Sequence, residues 1–204
     1  MMKEKRKVKR MEVKDKIKEM LFWTGREGIT DLIDYMEDYG FFDAPCSCSY
    51  HLAKEGGLAE HSLNVYNTMR KMQCAIYEDI DHSELIIVSL LHDLGKMGQF
   101  GKPNYTENYV KDGRPTKAEP EQKYKLSETK PYVTNPELLN VPHEIRSIAI
   151  ASKYIELTEQ EQFAILYHNG LYGDLKYQIS GKETPLYLLL HFADMWCSRV
   201  TEVE

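Results

Sequence analysis

Residues 85–91 (LIIVSLL) form an apolar run with one polar side chain, and His92 and Asp93 follow it directly. Ser83 is a suitable N-cap just before the run, and Gly95 a suitable stop after it, so we expect a helix between them. A helix that is apolar all round is covered on every side by other elements. Burying an imidazole and a carboxylate at its end is costly unless both have partners. The segment therefore predicts a central helix inside a helical protein, with a binding partner for His92 and Asp93.

The rest of the chain supplies the surrounding helices. Apolar residues recur at helical spacing in residues 13–21, 29–36, 58–77, 157–168 and 186–199, and helix resumes at Pro142. The end signals are Gly40, the capping pair Thr158 and Glu161, and Thr184 before Pro185. No segment shows convincing strand alternation, and TKPYVTN (129–135) predicts a short hairpin arm at most. The expected fold class is all-α, a helical bundle.

Residues 97–141 differ from both flanks. They are rich in proline, lysine and glutamate and show little periodicity. A stretch this long inside a compact domain is usually functional or disordered. We expect a long loop or lid, inserted between the helix that ends at His92–Asp93 and the later helices.

Composition narrows the functional classes. The 204 residues suggest an N-terminal helical region with a basic start (1–40) and one domain (41–204). Residues 1–20 carry nine Lys/Arg and four Asp/Glu, while the whole chain has a net charge of −6, so the remainder is acidic. An acidic body argues against extended nucleic-acid binding without excluding it. No apolar run is long enough for a membrane span. The four cysteines need no oxidising compartment, so a cytoplasmic location is expected.

Two more metal-ligand side chains fall in apolar helical settings. His61 lies on the apolar side of its helix, and Asp194 lies within LLLHFADMW. A lone buried His is more often a hydrogen-bonded core residue, and a His at a helix end also suits the dipole. Three separate helices nevertheless each bring a ligand type into an apolar environment, which is how helical bundles build metal sites. We therefore expect His61, His92, Asp93 and Asp194 to hold a divalent metal ion.

These residues, in this order, resemble the HD-domain superfamily of metal-dependent phosphohydrolases. HLAKEGGLAEHSLNV (51–65) resembles the start of the first ligand helix, LLHDLGK (90–96) the paired motif, and LLLHFADMWCSR (188–199) the final Asp helix. The resemblance covers about residues 45–200. It implies an HD-domain helical bundle, one or two divalent ions (Fe, Mn, Co, Ni, Zn or Mg), and hydrolysis of phosphoester or phosphoanhydride bonds by a metal-activated water.

Further histidines extend the predicted site. His143 and His168 lie at helix ends, and the resemblance to two-metal branches implies that they complete a second metal position; capping and dipole roles are the alternatives. His51 is expected to face substrate phosphate. His191, one turn before Asp194, is expected to support the site or the core rather than bind metal.

The chemical roles follow from the same residues. Asp93 would bind metal and orient the attacking water or accept its proton, and Lys96 would neutralise phosphoryl charge unless it is a solvent lysine. Arg114 and its neighbours in the 97–141 segment suit nucleotide binding or an ordinary solvated loop equally. Those neighbours are Lys102, Tyr105, Tyr109, Lys111 and Lys117.

The predicted substrate is a phosphorylated small molecule, nucleotide, dinucleotide or short oligonucleotide. The alternatives are a 3′–5′ exoribonuclease-like HD hydrolase, a non-catalytic nucleotide-sensing module, and an HD-fold iron oxygenase. An exoribonuclease of that type carries an extra β-barrel, for which this chain has no all-β segment.

Overall fold

The structure is a computed structural model that describes residues 2–76, 79–116, 119–173 and 176–203. Lys117, one of the predicted nucleotide-binding residues, lies outside this part of the chain. The helices are α1 (Met2–Trp23), α2 (Ile29–Asp38), α3 (Gly57–Ile76), α4 (His82–Leu91), α5 (His143–Ala151), α6 (Glu159–Tyr167), α7 (Lys176–Ile179) and α8 (Pro185–Trp196). Short 3₁₀ turns at Leu94–Met97 and Gly170–Tyr172 follow α4 and α6, and a π-helical turn, Cys197–Thr201, extends α8. The prediction of a mostly helical fold is confirmed.

Helix α4 lies in the centre, as its apolar sequence predicts. Residues 85–91 are all buried, and α4 packs against α1, α3, α6 and α8. Every helix contributes at least one buried apolar side chain to the same core cluster, including Ile17 of α1 and Leu32 of α2. Burying a side chain of this size contributes about 1.5–3 kcal/mol. The apolar run is therefore stabilised by the surrounding helices, and His92 and Asp93 are carried into the interior behind it.

Three helix-end predictions are confirmed, including Gly40, which follows the C-cap residue of α2 with a φ of 84°, and two need correction. Thr158 and Glu161 form the expected capping box, and Thr184 caps α8. The N-cap of α4 is Asp81 rather than Ser83, because the Asp81 carboxylate accepts hydrogen bonds from the backbone N–H groups of Ser83 and Glu84.

Gly95 does not end α4, which stops at Leu91; it lies in the following 3₁₀ turn. A Cβ on Gly95 would lie 2.3 Å from the carbonyl oxygen of His143. The glycine is therefore needed for close packing of this turn against α5, which brings His143 towards Asp93.

The predicted loop or lid at 97–141 is corrected to a β arm. Its strands are β1 (Tyr105–Glu107), β2 (Tyr109–Asp112), β3 (Lys123–Leu126) and β4 (Tyr132–Thr134). Strand β1 pairs with β4 and β2 with β3, both antiparallel. The pairs are nested and form two successive two-stranded sheets, and TKPYVTN contributes β4. All residues of β2 and β3 are exposed, so the apolar alternation of a half-buried strand is absent from both.

Among the described residues, no helix combines the length and apolar character needed to cross a bilayer.

Candidate metal centre

The predicted ligands come from five helices or the turns that follow them. His61 lies in α3, His143 begins α5, and Asp194 lies in α8. His92 and His168 directly follow the last residues of α4 and α6. Side chains at helix ends can converge because neighbouring residues there are no longer held about 100° apart by the helix.

The carboxylate of Asp93 is the centre of the group. Its Oδ2 atom lies 3.5 Å from Nε2 of His61 and 3.5 Å from Nε2 of His92. Its Oδ1 atom lies 3.1 Å from Nε2 of His143 and 3.6 Å from Nε2 of His168. The two oxygens of one carboxylate thus face two different pairs of histidines.

Hydrogen bonds on the outer side fix the orientation of three imidazoles. Nδ1 of His61 lies 2.9 Å from a carboxylate oxygen of Glu202. Nδ1 of His92 and of His168 lies 2.9 and 2.8 Å from the backbone carbonyl oxygen three residues earlier. Carboxylates and carbonyls only accept, so each Nδ1 carries the hydrogen. In the neutral ring, Nε2 then presents a lone pair to Asp93, as metal-binding histidines require.

Three atoms at the middle of the group lack a hydrogen-bond partner within the described structure. They are Nε2 of His61, Nε2 of His92 and Oδ1 of Asp93, and all three are buried. Nε2 of His61 does lie 3.2 Å from Oδ1 of Asp194, but outside hydrogen-bond geometry. Unpartnered buried polar atoms are rare and costly. Divalent cations beside the two oxygens of Asp93 would satisfy all three, so the residues present fit a metal centre.

The ligand atoms also group at metal-binding distances. Within the part of the chain that the structure describes, there are four sets of three side chains in which one ligand atom from each lies within 4.8 Å of the others. The sets are His61, His92 and Asp93; His92, His168 and Asp194; Asp93, His143 and His168; and Cys46, His51 and His61. These buried His, Asp and Cys groups are able to hold a metal ion.

The pKa values of His92 and Asp93 favour the protonation states in which these side chains bind a metal ion. Burial lowers the pKa of His92 to about 3, so its imidazole is neutral at pH 7. Burial opposes ionisation of Asp93, but the charge of the nearby Lys96 ammonium outweighs it and holds the pKa of that carboxyl well below its usual range. A neutral imidazole and an ionised carboxylate are the protonation states that bind a divalent ion.

Lys96 lies at the edge of this group. Its Nζ atom is 2.6 Å from Oδ2 of Asp93, and the side chain is 16% exposed. Burial lowers the pKa of Lys96, but the Asp93 carboxylate more than offsets it, so the ammonium keeps its charge. The side chains of His143 and Asp194 are also partly exposed, at 25% and 18%. The group therefore opens to solvent beside these three side chains.

Glu202 is a site residue that the sequence interpretation missed. It is buried, and its two carboxylate oxygens bond Nδ1 of His51 at 2.7 Å, Nδ1 of His61 at 2.9 Å and Nδ2 of Asn64 at 2.9 Å. The hydrogen bonds from His51, His61 and Asn64 hold the pKa of Glu202 below its usual range, although burial opposes this. The carboxylate therefore orients His61 towards Asp93. No periodicity or motif marks position 202 in the sequence.

The remaining predicted residues occupy different places. His51 is part of the group, bonded to Glu202 and in ring contact with His61. His191 bonds the carbonyl oxygen of His168 through Nδ1 at 2.8 Å, as a supporting residue would. Arg114 lies in the exposed turn after β2, and no contact in the described structure joins it to the histidine group.

Comparisons of the chain with protein-family models, with curated proteins and with solved structures find no match. The function of the group is therefore inferred from its side chains and from the ordered motifs that carry them.

Proposed function

We propose that the chain is a metal-dependent phosphohydrolase of HD-domain type that cleaves a phosphoester or phosphoanhydride bond in a nucleotide, dinucleotide or short oligonucleotide. The observation that carries the proposal is the arrangement at Asp93, whose two oxygens each face a pair of histidine Nε2 atoms. Iron, manganese, cobalt, nickel, zinc or magnesium would suit this mixture of nitrogen and oxygen ligands.

The first metal position would use His61, His92, Asp93 and Asp194. A second would use His143 and His168, with Asp93 shared between the two. A divalent ion in such a site supplies Lewis acidity, which activates water and stabilises negative charge on phosphoryl oxygens.

The side chains of the chain itself would perform the remaining steps. Asp93 would orient the attacking water through one oxygen or accept its proton. Lys96 keeps a positive charge at the solvent-open edge of the group, where it would neutralise charge that develops on the phosphoryl group. His51, whose ring centroid lies 4.8 Å from that of His61, would contact a phosphate of the substrate.

The test is hydrolysis by the purified chain under anaerobic conditions. Nucleotides, dinucleotides and short oligonucleotides would be incubated with Mn²⁺, Fe²⁺, Co²⁺ or Ni²⁺, and the released phosphate or nucleotide measured. We expect hydrolysis that depends on the metal and is lost in Asp93→Asn, which keeps the size of the side chain. Metal binding without hydrolysis of any substrate would refute the enzymatic proposal and favour a nucleotide-sensing module; turnover that requires oxygen would favour an oxygenase.

A further inference from the structure

The β2–β3 hairpin carries large side chains that no core covers. Tyr109, Tyr124 and Leu126 are 57%, 59% and 40% exposed. A two-stranded hairpin without packing against another element is only marginally stable in water. Within the fold, the Tyr109 hydroxyl donates to the Glu107 carboxylate at 2.7 Å, but the rings of Tyr109 and Tyr124 stay exposed. Exposed apolar and aromatic side chains grouped in this way are typical of a binding surface.

The strand register gathers these side chains on one face. Tyr109 pairs with Leu126, and Lys111 pairs with Tyr124. Directly paired residues in an antiparallel ladder point to the same side, and residues two apart on one strand do as well. We call this side the aromatic face; it consists of Tyr109, Lys111, Tyr124 and Leu126. The opposite face carries Val110, Asp112, Lys123 and Lys125.

The arm also carries unpaired positive charge. Among the described residues, Lys111, Arg114 and Lys130 have no ion-pair partner, whereas Lys123 and Lys125 pair with acidic neighbours. Residues 102–134 contain seven Lys/Arg and five Asp/Glu, in a chain of net charge −6. The arm is thus a locally basic element on an acidic protein, and Lys111 lies on the aromatic face itself.

The stretch of chain that leads into the aromatic face begins near the candidate metal centre. The backbone N–H of Asn108 donates to the carbonyl oxygen of Pro131, and the carbonyl oxygen of Asn108 accepts from the backbone N–H of Ser127. These hydrogen bonds link the two strand pairs. Tyr105, Glu107 and Tyr109 are two residues apart in turn and therefore point to the same side, where the Tyr109 hydroxyl donates to the Glu107 carboxylate at 2.7 Å. Tyr105 is half-buried and close enough to Lys96 to interact electrostatically.

The base of the arm is fixed to the body of the protein, because the backbone N–H of Tyr132 donates to the carbonyl oxygen of Cys48. The extended chain from Tyr105 to Lys111 spans about 20 Å at ~3.3 Å per residue.

We propose that the aromatic face of the arm binds single-stranded nucleic acid. Bases stack on the rings of Tyr109 and Tyr124, and Lys111 contacts the phosphate backbone between them. The cations of the arm that have no ion-pair partner in the described structure, Lys111, Arg114 and Lys130, suit the phosphates of a strand, and the exposed rings beside Lys111 suit its bases. The acidic body repels nucleic acid, so binding is confined to the arm and is sensitive to salt. That the bound strand leads to the metal centre rests on the proposed function; the binding itself does not.

The test is fluorescence polarisation with labelled RNA and DNA strands of about 12 nucleotides, within the usual site size for such surfaces. The full chain is used, with excess chelator so that no strand is cut. We expect Tyr109→Ala/Tyr124→Ala to weaken binding about tenfold or more, since each stacked base contributes measurably. The matched control is Tyr39→Ala/Tyr177→Ala, which removes two exposed tyrosines outside the arm and should bind as the parent does. Lys111→Ala should reduce the dependence of binding on salt.

Absence of strand binding by the parent chain at low salt would overturn the proposal, and so would equal binding by the arm variant and the control. Light scattering on the same samples tests whether a second copy of the chain binds the aromatic face instead. A dimer that the arm substitutions dissociate, without strand binding, would assign the face to a second copy of the chain and refute the proposal. Because the strands are not cut, a failure of hydrolysis would leave this result intact, and a failure of binding would leave the hydrolysis result intact.

Discussion

Replacing Glu202 by Gln should weaken metal binding without altering any predicted metal ligand. The Glu202 carboxylate accepts from His51, His61 and Asn64 at 2.7–2.9 Å. A glutamine amide has one accepting oxygen and one donating nitrogen, so it cannot accept from both sides and carries no charge. A hydrogen bond to a charged group contributes about 1.5–3 kcal/mol.

Loss of that support at His61 leaves its ring less basic and free to turn. Substituting such a supporting partner typically costs about 10–100-fold in metal affinity. At 1.4 kcal/mol for each tenfold change, this equals about 1.4–2.8 kcal/mol. The estimate agrees with the energy expected for one charge-assisted hydrogen bond, so we expect a weakening of that size in Glu202→Gln.

The assay is anaerobic competition for Mn²⁺ or Co²⁺ between the chain and a fluorescent chelator at fixed pH. The control is Glu37→Gln, which removes a carboxylate paired with Lys14 and Lys18 and not with any histidine. Thermal unfolding of the metal-free proteins separates a local effect from a loss of fold. Metal affinity in Glu202→Gln equal to that of the control would refute the positioning role of this carboxylate.

Three further predictions concern the site and the fold. His92→Ala and Asp93→Asn should each lose bound metal and hydrolysis together while the far-ultraviolet circular dichroism stays helical; full metal content in either variant would contradict the site. Lys96→Ala should lower turnover about 10²-fold with metal still bound, as for removal of a single electrostatic donor, and unchanged turnover would make Lys96 a solvent residue. Arg26→Ala should destabilise the protein by about 3–5 kcal/mol in urea unfolding, because the Glu161 carboxylate that it pairs with is completely buried. Burial raises the pKa of Glu161 despite Arg26, so protonation of this carboxyl is easier in the folded state than in the unfolded state. The variant should therefore regain stability as pH falls through the raised pKa. A loss of stability that is independent of pH would show that the buried Glu161 charge is not its cause.

The helices and the burial of the candidate metal-binding side chains could be predicted from the sequence for a common physical reason. Apolar spacing determines which side of a helix is buried, so His61 and Asp194 could be recognised as polar groups in apolar settings. The unbroken run before His92 and Asp93 likewise indicated a buried helix end, and residues 85–91 are all buried. Local patterns were sufficient because each observation concerned a single helix.

The features that were missed depend on contacts between distant parts of the chain. The β arm pairs residues that are far apart, and both of its exposed strands lack the alternation that marks a half-buried strand. Glu202 contacts His61 across 141 positions of sequence, with no periodicity to mark it. Gly95 was interpreted as a helix stop, yet its position is determined by the approach of α5. Only the folded structure brings these partners together.

The number of metal ions per chain tests the central claim most directly. If Asp93 joins two positions, anaerobically purified and metal-replete protein should contain about two equivalents by elemental analysis. The double variant His143→Ala/His168→Ala should then contain about one, because His61, His92, Asp93 and Asp194 remain. About one equivalent in the parent chain, unchanged in the double variant, would contradict the two-metal account and make both histidines substrate contacts around a single ion. No stoichiometric metal in the parent chain would contradict the metal centre altogether.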